Sequence, residues 1–136
     1  NLNNNITAAT TANITAPLTL GTLNLSDADG SDQRIISGDT LTLDNRGAGA
    51  AINNIAGATT ITAPVSLSES AVIDTTGVGA SLSLLGKVDG AASLTKTGAG
   101  NLQLTNTANS FSTTSSIAQS NLASWACWSL GGRRNS

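Results

Sequence analysis

Ser93-Leu-Thr-Lys-Thr-Gly-Ala-Gly-Asn-Leu-Gln-Leu104 decides how this chain is read. Leu94 and Lys96 stand two apart, so on a strand they share one face, with Thr95 on the other. Gly98 and Gly100 permit a corner that residues with a Cβ resist. Leu102 and Leu104 then restart the alternation, with Asn101 and Gln103 pointing the other way. The unit is strand, glycine corner, strand.

Working outward, the same unit recurs in weaker form. Gly-x-Gly appears at Gly47/Gly49, Gly77/Gly79 and Gly98/Gly100. Ile14-Thr-Ala-Pro-Leu-Thr-Leu20 returns as Ile61-Thr-Ala-Pro-Val-Ser-Leu67, an offset of 47 residues. Leu18, Leu20, Leu23 and Leu25 predict two short strands bent at Gly21. Ile35-Ile36 and Leu41-Thr-Leu43 predict strands joined by a turn at Ser37–Thr40. Ile52, Ile55 and Ile61 extend the apolar series. Residues 26–34 are the most polar segment and read as a loop. Residues 1–13 read as a frayed first strand or a loop.

Strands of three to five residues are too short to stand alone. No helical segment is available to cover a sheet or make a crossover. Stacked coils solve this, each strand pairing with its equivalent one coil away. The expected fold is all-β, a right-handed parallel β-helix. Coils of about 20–24 residues make the repeat two coils long and give about five or six coils. An antiparallel sandwich with Gly-x-Gly hairpins is the competing arrangement, since alternation alone does not exclude it.

Composition narrows the function. Of the 136 residues only 10% are charged and 2% aromatic, and the formal net charge is −2. Nucleic-acid binding needs a basic stripe, and there is none. Histidine is absent, so no serine has an imidazole to activate it, and Gly-x-Ser-x-Gly does not occur. Cys127 stands alone and forms no intramolecular disulfide. Methionine is absent, which implies a chain that starts within a longer frame or after processing. No signal peptide is visible at its start, and no apolar run has the length of a membrane helix.

The candidate sites are few. Asp27, Asp29 and Asp32 cluster around Gly30, as a hard cation would require. They lack the EF-hand spacing, with Gly38 where its final Glu would stand, so a solvated loop is the expectation. Ile52, Leu82 and Gln103 occupy the third-glycine positions of the Gly-x-Gly corners, so these are not dinucleotide loops. Lys96 is expected at a coil edge, its stem packed and its ammonium in water. Asp39 and Asp44 lie near Arg34 and Arg46 in sequence and are what a polysaccharide-active β-helix enzyme would use. Sequons at Asn5, Asn13 and Asn24 matter only in a eukaryotic secretory pathway. The expectation is a non-enzyme without metal or cofactor.

Gly90-Ala-Ala-Ser-Leu94-Thr-Lys96-Thr-Gly98-Ala-Gly100-Asn-Leu102-Gln-Leu104, followed by Asn109-Ser-Phe111-Ser, resembles the autotransporter-associated β-strand repeat. Leu82-Ser-Leu84 resembles its lead-in strand. The likeness covers residues 82–112 and is looser over 14–81. It implies a parallel β-helix in the passenger of a Gram-negative type V secreted protein, displayed on the cell surface or released outside. It also implies a partner, a C-terminal β-barrel translocator in the full-length protein, of which nothing is visible here. The implied role is a stiff stalk that aids export and folding. An adhesin face for a host surface glycan or protein is the alternative.

The likeness fades after Phe111, where expected glycines are serine or missing. Residues 1–122 are expected to form the passenger segment. Residues 123–136, with Trp125, Cys127 and Trp128, change composition abruptly. They read as text from another frame, with an end cap as the alternative. Open coil ends are expected to favour slow folding and self-association.

Overall fold

The computed structural model describes residues 8–27, 29–77 and 79–111, together with the backbone of three strands at 2–3, 116–117 and 122–124. Every regular element among them is a β-strand. β1 (Leu2–Asn3) comes before the first complete turn, which holds β2 (Thr10–Ile14), β3 (Leu18–Leu20) and β4 (Thr22–Ser26). The second turn holds β5 (Gln33–Gly38), β6 (Leu41–Leu43) and β7 (Ala50–Asn54). The third holds β8 (Ala58–Ile61), β9 (Val65–Leu67) and β10 (Ala71–Thr75). The fourth holds β11 (Ser81–Leu84), β12 (Val88–Asp89) and β13 (Leu94–Thr97). β14 (Asn101–Leu104), β15 (Ser116–Ile117) and β16 (Leu122–Ser124) follow.

Each strand pairs with its equivalent one turn away, and every pairing is parallel. Three faces result. Face A runs β1-β4-β7-β10-β13-β15, face B runs β16-β14-β11-β8-β5-β2, and face C runs β12-β9-β6-β3. One parallel bridge, Asp89 to Ser110, extends face C. This is a parallel β-solenoid, and the parallel pairing rules out the antiparallel sandwich. Among the described residues four turns are complete, against the five or six expected, and β14, the Ser110 bridge and β15 carry the three faces further. The turns are uneven in length. Leu23 pairs with Ile52, 29 residues on, whereas Leu84 pairs with Leu104, 20 residues on.

Alternation places the aliphatic residues inside. Leu41, Val65 and Val88 stack on face C, Ile36, Ile61, Leu84 and Leu104 on face B, and Leu23, Ile52 and Ile73 on face A. All ten are buried. Full burial of one such side chain is worth about 1.5–3 kcal/mol, so stacking supplies what no single short strand could. Ile55 departs from expectation. It follows β7 at a corner and is 47% exposed, because the chain turns before its side chain can face inward.

The 47-residue repeat is two turns on face C, where Leu18 pairs with Leu41 and Leu41 with Val65. On face B the two-turn partner of Ile61 is Ala12, through Ile36, and not Ile14. The copies are therefore two residues out of step on that face. A slip of two keeps every side chain on its own side of the sheet.

Glycines serve where successive corners touch. A Cβ on Gly86 would lie 2.5 Å from the Ala63 carbonyl carbon one turn below. Residue 86 therefore has room for no side chain. Gly21 is likewise the bend between β3 and β4, as expected.

Candidate functional site

The corners from face A to face B stack into a seam: residues 27 and 29–32, 55–57, 76–77 and 79–80, and 98–100. Two of the three Gly-x-Gly pairs, Gly77/Gly79 and Gly98/Gly100, lie on this seam. Gly47/Gly49 lies instead between β6 and β7, on the corner from face C to face A. All six buried polar or charged side chains among the described residues lie along the seam: Asp27, Arg34, Asn54, Thr59, Thr75 and Lys96. This column is the most distinctive chemical feature of the molecule.

Each member of the column has a partner, as buried polar groups require. Arg34 points inward from β5, and its Nη1 donates to Ser26 O at 3.1 Å. Asp27 Oδ2 accepts from Asp32 N at 3.1 Å. Asn54 Nδ2 donates to Gly57 O and Ser81 O, at 3.2 and 3.0 Å, tying its own corner to the next turn. Thr59 Oγ1 donates to Asn54 Oδ1 at 3.4 Å. Thr75 Oγ1 donates to Gly100 O at 2.8 Å, and Gly100 N returns a bond to Thr75 O at 2.6 Å.

Lys96 corrects an expectation. It is 2% exposed, and its ammonium does not reach water. Lys96 shares the inward face of β13 with Leu94 and pairs with Ile73 below. From there Nζ folds back into the glycine corner and donates to Thr97 O and, at 2.7 Å, to Gly98 O. Burial holds its pKa below the ordinary lysine value, partly opposed by the charge of Asp74. Gly98 has φ +78, and a Cβ there would lie 2.6 Å from the Thr75 carbonyl carbon. The corner thus closes around the ammonium with backbone alone. Leu102 and Leu104 are buried on β14 directly after it, as the alternation predicts.

The calcium candidate does not assemble. Among the described residues no group of three His, Cys, Asp or Glu is placed to hold a metal ion. Asp27 is turned inward and held by Asp32 N, while Asp29 accepts from Ser31 N at 3.0 Å and Ser31 Oγ at 2.8 Å. Those two bonds hold the exposed Asp29 carboxyl below its ordinary pKa.

Of the residues a polysaccharide-active enzyme would use, Asp44 and Arg46 share one corner, whereas Asp39 lies on another and Arg34 is buried. Asp39 lies between β5 and β6, and its carboxylate accepts from Thr40 N at 2.7 Å. Asp44 lies between β6 and β7 and accepts from Arg46 N at 2.8 Å. Arg34 is inside the solenoid.

Sequence reasoning missed two features. Arg34 belongs to a strand and not to the loop; its spacing of two from Ile36 was the available signal. The second is a clasp on the corner from face C to face A. The Glu69 carboxylate accepts from Asn45 N and, at 2.7 Å, from Gly47 N, one turn away. Arg46 sits there with φ 57. Of the sequons, Asn13 lies on exposed β2. Asn24 accepts on Oδ1 from Asn53 Nδ2 at 2.7 Å, and Asn5 lies outside the described residues. Trp125, Cys127 and Trp128 also lie outside them, whereas Ala123 and Ser124 belong to β16, beyond the expected boundary at 122.

Fold and seam define a structural class, a parallel β-solenoid with a polar corner column. Comparison with family models, curated proteins and solved structures found no match. Among the described residues no helix is long and apolar enough to cross a membrane.

Proposed function

We propose that the chain is a structural β-solenoid segment of an autotransporter-type passenger. In this reading it is a stiff stalk exposed on a Gram-negative cell surface, and its folding outside the cell aids export through a C-terminal β-barrel of the full-length protein. One observation carries the reading. Every fixed position of the repeat that residues 90–104 resemble has a task in building a coil. Leu94, Leu102 and Leu104 fill the interior, Lys96 closes the corner carbonyls, and Gly98 and Gly100 stand against the turn below. A motif whose elements are spent on stacking fits a scaffold.

The test is display. The chain is placed between a signal sequence and a translocator barrel in a Gram-negative host, and surface exposure is followed by protease accessibility on intact cells. The expected result is efficient display that falls when Gly98→Val disrupts the corner. Retention in the periplasm, while another β-helix passenger on the same barrel reaches the surface, overturns the reading.

A second reading draws on face B. Its outward ladder of Thr11, Ile35, Thr60, Ser83 and Gln103 is hydroxyls and amides apart from Ile35 and includes no charge, and Gln33 Nε2 donates to Thr60 Oγ1 at 2.9 Å. Such a face suits an adhesin for a neutral host glycan. Glycan-array binding lost with Thr60→Lys would favour it.

A further inference from the structure

The sequence contains two Asp–Gly links, Asp29–Gly30 and Asp89–Gly90, and no Asn–Gly link. At an Asp–Gly link the glycine nitrogen can reach the aspartyl carboxyl carbon, because no Cβ on the following residue stands in the way. The two links are the same chemically, and the fold treats them differently.

Asp89–Gly90 is held on both sides. Asp89 belongs to β12, where it pairs with Ser66 in one turn and is bridged to Ser110 in the next. Its carboxylate pairs with Lys87 Nζ at 2.9 Å. Gly90 N donates to Ser110 O at 3.0 Å, and a Cβ on Gly90 would lie 2.9 Å from the Leu67 carbonyl carbon. Attack requires the backbone between the two residues to rotate, and rotation there breaks contacts with both neighbouring turns.

Asp29–Gly30 lies in a corner, outside every strand, and both residues are exposed. Space surrounds the glycine: the nearest atom to a Cβ placed on Gly30 would be Gly57 N, at 3.9 Å. Gly30 N donates to Asp27 O at 3.2 Å, within the same corner. The Asp29 side chain is tied by Ser31, whose N and Oγ donate to Oδ1 at 3.0 and 2.8 Å. Those bonds favour the ionised carboxylate, which is a poorer target for a nucleophile than the neutral acid, and they hold its pKa below the ordinary value.

We infer that Asp29–Gly30 is a site of spontaneous covalent modification, where the chain isomerises to isoaspartate, and that Ser31 restrains the reaction. Gly30 N bonds to Asp29 Cγ. The carboxyl hydroxyl leaves as water with the amide proton, and a five-membered succinimide results. Water then opens the ring. Addition at Cγ breaks the new bond and restores aspartate. Addition at the Asp29 backbone carbonyl breaks the original peptide bond and leaves the chain running through the side chain. Atoms lost in the first step return in the second. Isoaspartate lengthens the backbone by one carbon and removes the carboxylate from Ser31. The corner that turns Asp27 into the seam is thereby loosened. The inference is independent of the export reading.

The test uses the whole 136-residue chain, held for weeks in mildly acid buffer and, in parallel, in urea. Peptide mapping with electron-transfer fragmentation locates isoaspartate and gives its rate of formation at each link. The ratio of the rate at Asp29 to the rate at Asp89 is expected to be at least about tenfold higher in the native chain than in urea, since the β12 link must first open locally. Ser31→Ala removes the hydroxyl bond and is expected to speed the native reaction at Asp29 about twofold or more while leaving Asp89 unchanged. Far-UV spectra establish that the variant retains its strands. A rate ratio no higher in the native chain than in urea, or a native chain without isoaspartate at Asp29, would overturn the site. An unchanged or slower reaction at Asp29 in Ser31→Ala would overturn the restraint.

Discussion

Lys96 is the residue whose chemistry the fold changes most. Its folded pKa lies below the ordinary 10.5 because burial penalises the charge. The unfolded chain therefore binds more protons than the folded one between that lowered value and 10.5. Stability contributed by this group is complete above 10.5 and is lost as pH falls through the folded pKa. Urea midpoints measured from neutral pH to about 11 should rise through this window relative to those of Lys96→Met, in which the rise is abolished. A wild-type midpoint that falls relative to the variant would contradict the assignment. At Gly98 the left-handed backbone and the Thr75 carbonyl act together, so Gly98→Val should cost on the order of 3 kcal/mol in urea unfolding. That Leu94 and Lys96 share a face was legible from their spacing. The fate of the ammonium was not. Spacing assigns a side chain to a side of the sheet, and only the carbonyls gathered by the corner make the interior habitable for a cation. Ile55 shows the reverse error, an apolar residue counted as core although its strand had already ended.

At the scale of the element, strands of two to six residues are held by what joins them. Glu69 shows how: its carboxylate reaches one turn back and takes two backbone N–H groups of the 44–49 corner. Glu69→Ala should speed amide exchange at Asn45 and Gly47 while shifting the global unfolding midpoint little, since the site is near solvent and worth about 1 kcal/mol. Equal acceleration in β11, on another face of the solenoid, would show a wider role. The strand positions were largely readable because Leu, Ile and Val alternate with Thr, Ser and Asn. Arg34, Asn54, Thr59 and Thr75 were not read as inward, because polar residues on an apolar register look like its interruption. Asn54 and Thr75 find backbone partners in a neighbouring turn, Arg34 the Ser26 carbonyl across its corner and Thr59 the Asn54 side chain, and no local pattern announces those. The aspartates of 27–32 mislead for a related reason. Proximity in sequence suggested a shared ligand, but Asp27 turns into the seam and Asp29 closes on Ser31.

For the whole molecule, the 47-residue duplication was the decisive long-range signal. It spans two turns, so it announced stacking before any single strand could. It could not announce the two-residue slip on face B, which depends on how β2 meets β5. Stability in a stack is a sum of turns and nearest-neighbour contacts. Amide protection should therefore be greatest in β8 and β9, which have turns on both sides, and lower in β2 and β3 at the edge. Uniform protection throughout would mean a single cooperative unit instead. The hydrogen bonds between turns run along the solenoid axis, and that alignment has a mechanical consequence. A force applied to the two ends along the axis meets one turn's bonds at a time, as thread leaves a spool. With Leu18 and Leu41 marking a 23-residue turn, each yielding event should pay out roughly 80 Å of extended chain. Single-molecule extension should then record a staircase of similar small steps in place of one large rupture.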